Sequence, residues 1–268
     1  MKTTIDHELD VLLRFRDAVG EIHGSEDLCM LLYSLVKREK PKIVLELGTG
    51  LGVTAVWIGR ALVENGGGRL WTFDDGRFQD SFLPQALACL EELPEFRDAG
   101  VAGDDLAGYL HKLLRLSGVA EQVTYVDQAI DLTEGVDDLM PSEVRAGQGI
   151  DMLFSDFAHG PGDILDLLAL ALPYMSEYSS IFIDSASTYL LSYFMLEQVI
   201  DQLNTGKLPH RFSQGRTSDE RQRLLQLIAE RRFQLVHLFE DKDRAQNSTT
   251  WIRVEPVQWS PPPTAKVR

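Results

Sequence analysis

Cysteine is scarce in this sequence, and long apolar runs and clusters of basic residues are missing. The 268 residues include two cysteines, Cys29 and Cys89, which are too few for a disulfide framework or a cysteine-built zinc site. Lys and Arg total 26 against 41 Asp and Glu, so the formal net charge is −15. This charge and the lack of a basic run exclude a role in coating nucleic acid, since phosphate binding needs a basic face.

The sequence also lacks the signs of a targeting signal or a membrane span. The first residues turn acidic at once and contain no apolar core, so they do not predict a signal peptide. The most apolar stretch, residues 164–172, contains Asp166 and is too short to span a bilayer. Together with reduced cysteines, these features predict a cytoplasmic protein that is neither secreted by that route nor membrane-spanning.

Apolar periodicity predicts alternating strands and helices. Hydrophobic residues make up 44% and charged residues 25% of the chain, a composition typical of folded globular proteins. Strands are predicted at residues 43–47, 70–73, 123–126, 150–154, 180–183, 233–239 and 248–254. Helices are predicted at residues 9–18, 27–38, 53–64, 83–93, 106–116, 163–172, 189–203 and from Ser218, where Thr217 and Glu220 are spaced as a capping box. The order indicates an α/β fold with a doubly wound, mostly parallel seven-stranded sheet and a terminal antiparallel hairpin.

Acidic residues end four of the predicted strands. Glu46, Asp74, Asp156 and Asp184 lie at the carboxyl ends of strands or next to them. In an open parallel sheet, ligands bind at these ends. Since acids are seldom buried without a partner, the pattern predicts a ligand with hydroxyl groups, an amine or a metal.

A glycine-rich turn, E-L-G-T-G-L-G, spans residues 46–52 after the first strand. A dinucleotide fingerprint needs Gly or Ala where this chain has Val53, so the turn fits NAD or FAD poorly. The turn is no P-loop either, because no Gly-Lys-Ser/Thr follows it. Asp74, at the end of the second strand, can accept hydrogen bonds from two ribose hydroxyls, which favours a nucleoside ligand.

The pattern E-x-G-x-G-x-G after a strand resembles the first motif of class I S-adenosylmethionine (SAM) methyltransferases. The resemblance covers roughly residues 27–254, and it implies a Rossmann-like fold and SAM as the cofactor. The residues that it places around SAM are Glu46, Gly48, Thr49, Gly50, Gly52, Asp74, Gln128, Ala129 and Asp156. Among these, Gln128 and Ala129 would flank the adenine.

Within this superfamily, the sequence most resembles the catechol O-methyltransferase-like group of small-molecule enzymes. That group carries Asp-Ala-Asp-Lys after strand four and Asp-Asn after strand five, where it holds a divalent metal and a base. Here the two segments read S-D-F-A-H at residues 155–159 and Asp184-Ser185. The resemblance implies that His159 is the general base and that Asp156 and Asp184 face the acceptor. A metal such as Mg²⁺ stays open, because Ser185 replaces an amide ligand and strand four ends in one acid.

The resemblance also divides the chain. Residues 1–40 would form N-terminal helices on the substrate side, and residues 41–258 the SAM-binding domain. Residues 77–122 form a helical insertion that could cover the substrate, and residues 259–268 a flexible tail. Four aromatic residues of the insertion either line the pocket or form the insertion's own core: Phe78, Phe82, Phe96 and Tyr109.

The sequence therefore predicts a SAM-dependent methyltransferase that acts on a small molecule, most directly at a hydroxyl group. An N- or carboxyl-methyltransferase of the same fold, an NAD(P)-dependent oxidoreductase and a non-catalytic SAM-binding module are the alternatives. The expected partner is a small-molecule substrate, not nucleic acid or a membrane, and a homodimer stays open. The identity of the acceptor does not follow from the sequence.

Overall fold

The structure of the protein is a computed structural model that describes residues 4–19, 26–77, 82–101, 105–132, 139–157, 159–240 and 247–257. The predicted tail, residues 259–268, lies outside the described residues, and so does Phe78.

Seven strands form one mixed sheet. They are β1 (Ile43–Leu47), β2 (Arg69–Asp74), β3 (Val123–Asp127), β4 (Ile150–Ser155), β5 (Met175–Asp184), β6 (Arg231–Phe239) and β7 (Ser248–Pro256). Their order in the sheet is β3-β2-β1-β4-β5-β7-β6. Strand β1 is parallel to β2 and β4, and β2 is parallel to β3, whereas β7 is antiparallel to both β5 and β6. The predicted α/β fold with a mostly parallel sheet and a terminal antiparallel hairpin is confirmed.

Helices connect most of the strands. They are α1 (Thr4–Val19), α2 (Glu26–Glu39), α3 (Val53–Asn65), α4 (Leu83–Leu90), α5 (Pro94–Asp98), α6 (Leu106–Leu116), α7 (Ser142–Arg145), α8 (Pro161–Ala171), α9 (Leu190–Asn204), α10 (His210–Ser213) and α11 (Ser218–Glu230). The Thr217–Glu220 capping box at the start of α11 forms as predicted. Among the helices that the structure describes, none has the length and apolar character needed to cross a membrane.

One strand differs clearly from its prediction. Strand β5 begins at Met175, several residues before the apolar run at residues 180–183 that predicted it. Residues 176–180 are Ser, Glu, Tyr, Ser and Ser, so their polarity hides the strand from an analysis of apolar periodicity.

The chain divides into two compact units. The first comprises residues 1–146 and 152–157, and the second comprises residues 147–151 and 158–268. The predicted division of the chain into residues 1–40, 41–258 and 259–268 stays a prediction.

The core of the first unit surrounds β1, which is buried along its whole length. Helix α3 packs closely against β3, because a Cβ atom at Gly59 would lie 2.5 Å from Cγ2 of Val123. The aromatic rings of Phe15 in α1 and Phe96 in α5 stack with centroids 5.8 Å apart. Phe96 and Tyr109 are fully buried. These two aromatic residues of the insertion therefore belong to a core.

The second unit contains the β5, β6 and β7 strands and the helices from α8 onward. The rings of Phe182 on β5 and Trp251 on β7 stack with centroids 5.5 Å apart. Helix α9 packs against β6. The loop between β5 and α9 lies beside the start of β7, where the Ser185 N–H donates to the Ser248 carbonyl, and it follows directly after the predicted site residue Asp184.

Candidate active site

The glycine turn between β1 and α3 has three residues with positive φ angles: Gly48 at 92°, Gly50 at 54° and Gly52 at 77°. A Cβ atom at Gly48 would lie 2.9 Å from the carbonyl oxygen of Asp156, and one at Gly52 would lie 2.8 Å from Leu110 Cδ2 in α6. Two of the glycines are therefore required by the packing of the turn as well as by its backbone angles.

Asp74 holds this turn through both of its carboxylate oxygens. The Gly50 N–H donates to Oδ2 at 2.9 Å, and the Gly76 N–H donates to Oδ1 at 2.8 Å. A carboxylate offers about four acceptor positions, so Asp74 can also accept hydrogen bonds from ribose hydroxyls. From α6, the Tyr109 hydroxyl donates to the Leu51 carbonyl at 3.0 Å. The turn is thus fixed from β2 and from the insertion.

Glu46 forms the buried end of a chain of hydroxyl groups. Its side chain is fully buried, and the Thr72 hydroxyl donates to Oε2 at 2.5 Å. The Thr49 and Thr72 hydroxyl oxygens lie 2.6 Å apart. Since Thr72 gives its single proton to Glu46, the Thr49 hydroxyl must donate to Thr72. Thr72 is not among the predicted site residues, because a single threonine in an apolar strand matches no motif.

The second oxygen of Glu46, Oε1, is buried and has no hydrogen-bond partner among the residues that the structure describes. The pKa of this carboxyl group is raised to about 8, mainly by burial and also by the negative charges of Asp156 and Asp74, while the Thr72 hydrogen bond opposes the shift. A buried acceptor without a partner is unfavourable unless a ligand supplies the donor. The site therefore fits a ligand that brings a positively charged donor.

Gln128 and Ala129 follow β3 and lie near Asp74. The Gln128 N–H donates to the Asp74 carbonyl at 3.1 Å, and the Tyr125 hydroxyl donates to the same carbonyl at 2.9 Å. Both Gln128 and Ala129 are partly exposed. The structure thus brings the predicted adenine-flanking residues to the strand end that holds the predicted ribose acceptor.

Asp156 lies directly after β4 in the first unit. Its backbone N–H donates to the Leu47 carbonyl at 2.9 Å, and its side chain is exposed. Its charge acts on Glu46, so the structure groups Asp156 with the predicted cofactor residues.

His159 lies in the second unit, just before α8. Its Nδ1 atom is 3.1 Å from the backbone carbonyl oxygen of Asp184. A carbonyl oxygen only accepts hydrogen bonds, so Nδ1 carries a proton and, in the neutral ring, Nε2 carries the lone pair. The Ser192 hydroxyl donates to the His159 carbonyl at 2.8 Å. Asp184 therefore contacts His159 through its backbone carbonyl, and the predicted roles of both residues at the acceptor stay predictions.

A cavity of about 430 Å³ opens beside His159. Its lining consists of His159, Gly160, Pro161, Thr188, Tyr189, Leu190, Leu191 and Ser192. Leu190 and Leu191 expose 67% and 74% of their surface, and Tyr189 exposes 45%. Because no acidic or permanently basic side chain is part of this lining, the cavity fits a neutral, mostly apolar molecule.

The carboxylate of Asp184 is bonded to neighbouring hydroxyl groups. Ser185 donates to Oδ2 at 2.6 Å, and Thr249 lies 3.5 Å from Oδ1. Within the described ranges, no group of three or more His, Cys, Asp or Glu side chains could hold a metal ion. Since Mg²⁺ often binds through only one or two carboxylates and water, the predicted metal stays open.

Comparison with known proteins places the site in context. A family described as a methyltransferase domain matches residues 45–186, which is more than half of the chain. No curated protein matches the chain. The family match confirms the predicted methyltransferase class.

Several solved structures share the fold. A candidate O-methyltransferase from Klebsiella pneumoniae is 16% identical with a TM-score of 0.50, over 95% of this chain and 91% of that chain. A candidate caffeoyl-CoA O-methyltransferase from Staphylococcus aureus is 12% identical with a TM-score of 0.50, over 95% and 93% of the two chains. The O-methyltransferase TomG from Streptomyces achromogenes, solved with SAM, is 18% identical with a TM-score of 0.49, over 95% and 91%.

Proposed function

The chain belongs to the methyltransferase domain family, and from this premise we propose that it transfers a methyl group from SAM to a hydroxyl group of a small, mostly apolar molecule. The observation that carries the proposal is the buried Glu46 carboxyl group, whose Oε1 has no hydrogen-bond partner within the described part of the chain while Asp74 and Asp156 add negative charge nearby. SAM brings positive charge on both its sulfonium and its amino group, whereas a dinucleotide would bring negative phosphates.

The residues of the first unit would hold SAM. Glu46 would accept a hydrogen bond from the amino group, and Asp74 would accept hydrogen bonds from the ribose hydroxyls. Gln128 and Ala129 would flank the adenine, and Asp156 would add charge at the amino-acid end. The glycine turn would let the cofactor pass close to the backbone at four residues: Gly48, Thr49, Gly50 and Gly52.

His159 would act as the general base. SAM, when bound, supplies an electrophilic methyl group on a sulfonium. Nε2 of His159 would take the proton of the acceptor hydroxyl as the oxygen–methyl bond forms, the methyl–sulfur bond breaks and S-adenosylhomocysteine leaves, and the Nδ1–H bond to the Asp184 carbonyl would stabilise the imidazolium. Methyl transfer needs an in-line arrangement, so the cavity beside His159 contributes mainly by positioning the acceptor.

The cavity supports a small-molecule acceptor, because its lining is apolar apart from His159 and a few hydroxyl groups. We propose neither nucleic acid nor a membrane as the partner. Two cysteines are too few for a disulfide framework, which fits a reducing compartment, so the cytoplasm is the proposed location.

The proposal is tested with methyl-labelled SAM and a panel of small phenols, carboxylic acids and amines. We expect label on a phenol, and we expect His159→Ala to lower turnover by about 100-fold or more while SAM affinity measured by calorimetry stays the same. His210→Ala, at an exposed histidine of the same unit, is the matched control.

Three other outcomes would overturn parts of the proposal. Label on amines or carboxylic acids alone would replace O-methylation by one of the alternatives. SAM binding without transfer to any compound in the panel would favour the non-catalytic module. Unchanged turnover in His159→Ala would remove the role of His159 as the base.

A further inference from the structure

The loop between β5 and α9 is tied to the start of β7 by a row of hydrogen bonds. The Ser185 N–H donates to the Ser248 carbonyl at 2.7 Å. The hydroxyl oxygens of Thr188 and Ser248 lie 2.7 Å apart, and those of Ser187 and Thr250 lie 2.6 Å apart. This loop begins at Asp184, whose carbonyl accepts a hydrogen bond from Nδ1–H of His159, and it ends at the residues that line the cavity.

The loop needs this support because its backbone is strained. Ser185 has a φ angle of 57°, a left-handed conformation that residues with side chains seldom adopt. Such a conformation persists only when the surroundings hold it, and it is common at functional sites. The carbonyl of Asp184 directly precedes Ser185, so a relaxation of this turn would move the group that sets the His159 tautomer.

His237 on β6 completes the support from the other side. Its Nδ1 lies 2.5 Å from the Ser187 hydroxyl, and its Nε2 lies 3.1 Å from a carboxylate oxygen of Glu197. The ring of Tyr193 stacks on the imidazole with centroids 4.1 Å apart. The side chain of His237 is only 10% exposed. His237 is therefore held on both nitrogens and on one face.

The direction of these hydrogen bonds follows from the donors. The Glu197 carboxylate only accepts, so Nε2 of His237 carries a proton, and in the neutral ring Nδ1 accepts from the Ser187 hydroxyl. The Ser187 oxygen then accepts from Thr250. The hydrogen bonds therefore run in one direction, from Thr250 through Ser187 to His237.

We propose that His237, together with Ser187 and Glu197, is a positioning cluster that holds the β5–α9 loop so that the Asp184 carbonyl keeps the proton on Nδ1 of His159. This inference rests on the proposed role of His159 as the base. His237 acts through Ser187 and the loop, since its two nitrogens are already bonded to protein groups. A serine, a histidine and a carboxylate in line also occur in hydrolases, but Ser187 is buried and its oxygen is occupied by Thr250.

The test uses the full chain labelled with ¹⁵N-histidine, and long-range ¹H–¹⁵N spectra report the tautomer of His159. The wild-type protein should show the proton on Nδ1. We expect His237→Ala to give a mixture of tautomers and to lower kcat by about tenfold or more, with the KM for SAM unchanged. His237→Asn, which keeps a polar group near the position of Nδ1, should restore part of kcat and the wild-type tautomer.

Asn204→Ala is the matched control. Asn204 bonds the backbone of Phe233 in both directions, near the opposite end of β6. Its loss should destabilise the unit without changing the His159 tautomer or kcat. If Asn204→Ala and His237→Ala act alike, the effect is a general loss of stability and the proposal fails.

One further outcome is decisive. An unchanged His159 tautomer together with an unchanged kcat in His237→Ala overturns the proposal, and if that variant does not fold, Ser187→Ala and Glu197→Gln provide the same measurement. The tautomer spectrum needs no turnover, so it tests the cluster even if His159→Ala keeps full activity and the proposed function of His159 fails.

Discussion

Glu46 is the residue at which stability and ligand binding oppose each other. Burial raises its pKa from the ordinary 4.5 to about 8. Between these two values the unfolded chain is ionised at this position while the folded chain is protonated. The unfolded state then binds fewer protons, so this group lowers the free energy of unfolding as the pH rises from about 4.5 to about 8.

We expect Glu46→Gln to remove this part of the pH dependence. The free energy of unfolding of the variant, measured by urea denaturation at several pH values, should fall less than that of the wild type as the pH rises from about 5 to about 8. Glu121→Gln, at an exposed position of the same unit, is the control and should follow the wild type. A Glu46→Gln profile parallel to the wild type would contradict the raised pKa.

We also expect Glu46 to release a proton when S-adenosylhomocysteine binds. S-adenosylhomocysteine carries the amino group of SAM, and a cation beside Glu46 favours the carboxylate. At a pH below about 8, binding should release a proton from Glu46, which appears as a dependence of the calorimetric enthalpy on the ionisation enthalpy of the buffer. The release should be smaller in Glu46→Gln. Equal release in both proteins would place the proton elsewhere.

Gly48 and Gly66 allow two causes of a requirement for glycine to be compared: the backbone angle alone, and the backbone angle together with a close contact. Both have positive φ angles, 92° and 73°, but a Cβ atom at Gly48 would lie 2.9 Å from a carbonyl oxygen, whereas one at Gly66 would meet nothing within 4 Å. Gly66→Ala should destabilise the protein by about 1 kcal/mol, and Gly48→Ala by clearly more. Denaturant unfolding of the two variants measures the difference. Equal losses would mean that the contact with Asp156 relaxes freely.

At the scale of elements, apolar runs are sufficient to predict β1, β2, β3 and β4, the strands that pair in parallel. Strand β1 is buried throughout, and its run of apolar residues stands out in the sequence. The polar first half of β5 was missed for the opposite reason. The hydrogen bonds that tie residues 185–188 to the start of β7 were also missed, because serine and threonine have no periodic signal and their partners lie about 60 residues away.

Some residues of the candidate site could likewise be predicted from the sequence, and others could not. Glu46, Asp74 and the glycines could be predicted, since the turn motif and the strand ends place them by sequence alone. The role of His237 could not, because its partners come from a loop and from a separate helix. Only the folded structure brings Ser187, Glu197 and His237 together.

The start of α11 offers a local test of an element predicted from sequence. The Thr217 hydroxyl accepts from the Glu220 N–H, and the Glu220 carboxylate accepts from the Thr217 N–H. Thr217→Ala should lower the free energy of unfolding by about 1 kcal/mol. Thr217→Ser keeps the capping hydroxyl, so its free energy of unfolding should stay close to that of the wild type. Urea denaturation compares the two. A full loss in Thr217→Ser would show that the methyl group, not the cap, stabilises the helix end.

At the scale of the whole molecule, the net charge of −15 explains little of the binding that we propose. Most acidic residues lie on the surface and serve solubility. The charge that matters is local, since Asp74 and Asp156 act on Glu46 within the first unit. We propose that the choice of acceptor depends instead on the residues around His159 in the second unit, whose arrangement no general motif encodes.

The most direct test of the account is a calorimetric titration of SAM into the wild-type protein and into Gly50→Arg, with NADH as the comparison ligand. Gly50 has a positive φ angle, and its N–H donates to Asp74. Arginine there would strain the turn and add a positive charge. We predict saturable binding of SAM to the wild type, loss of binding in Gly50→Arg, and no binding of NADH. Binding of NADH without binding of SAM would contradict the central claim.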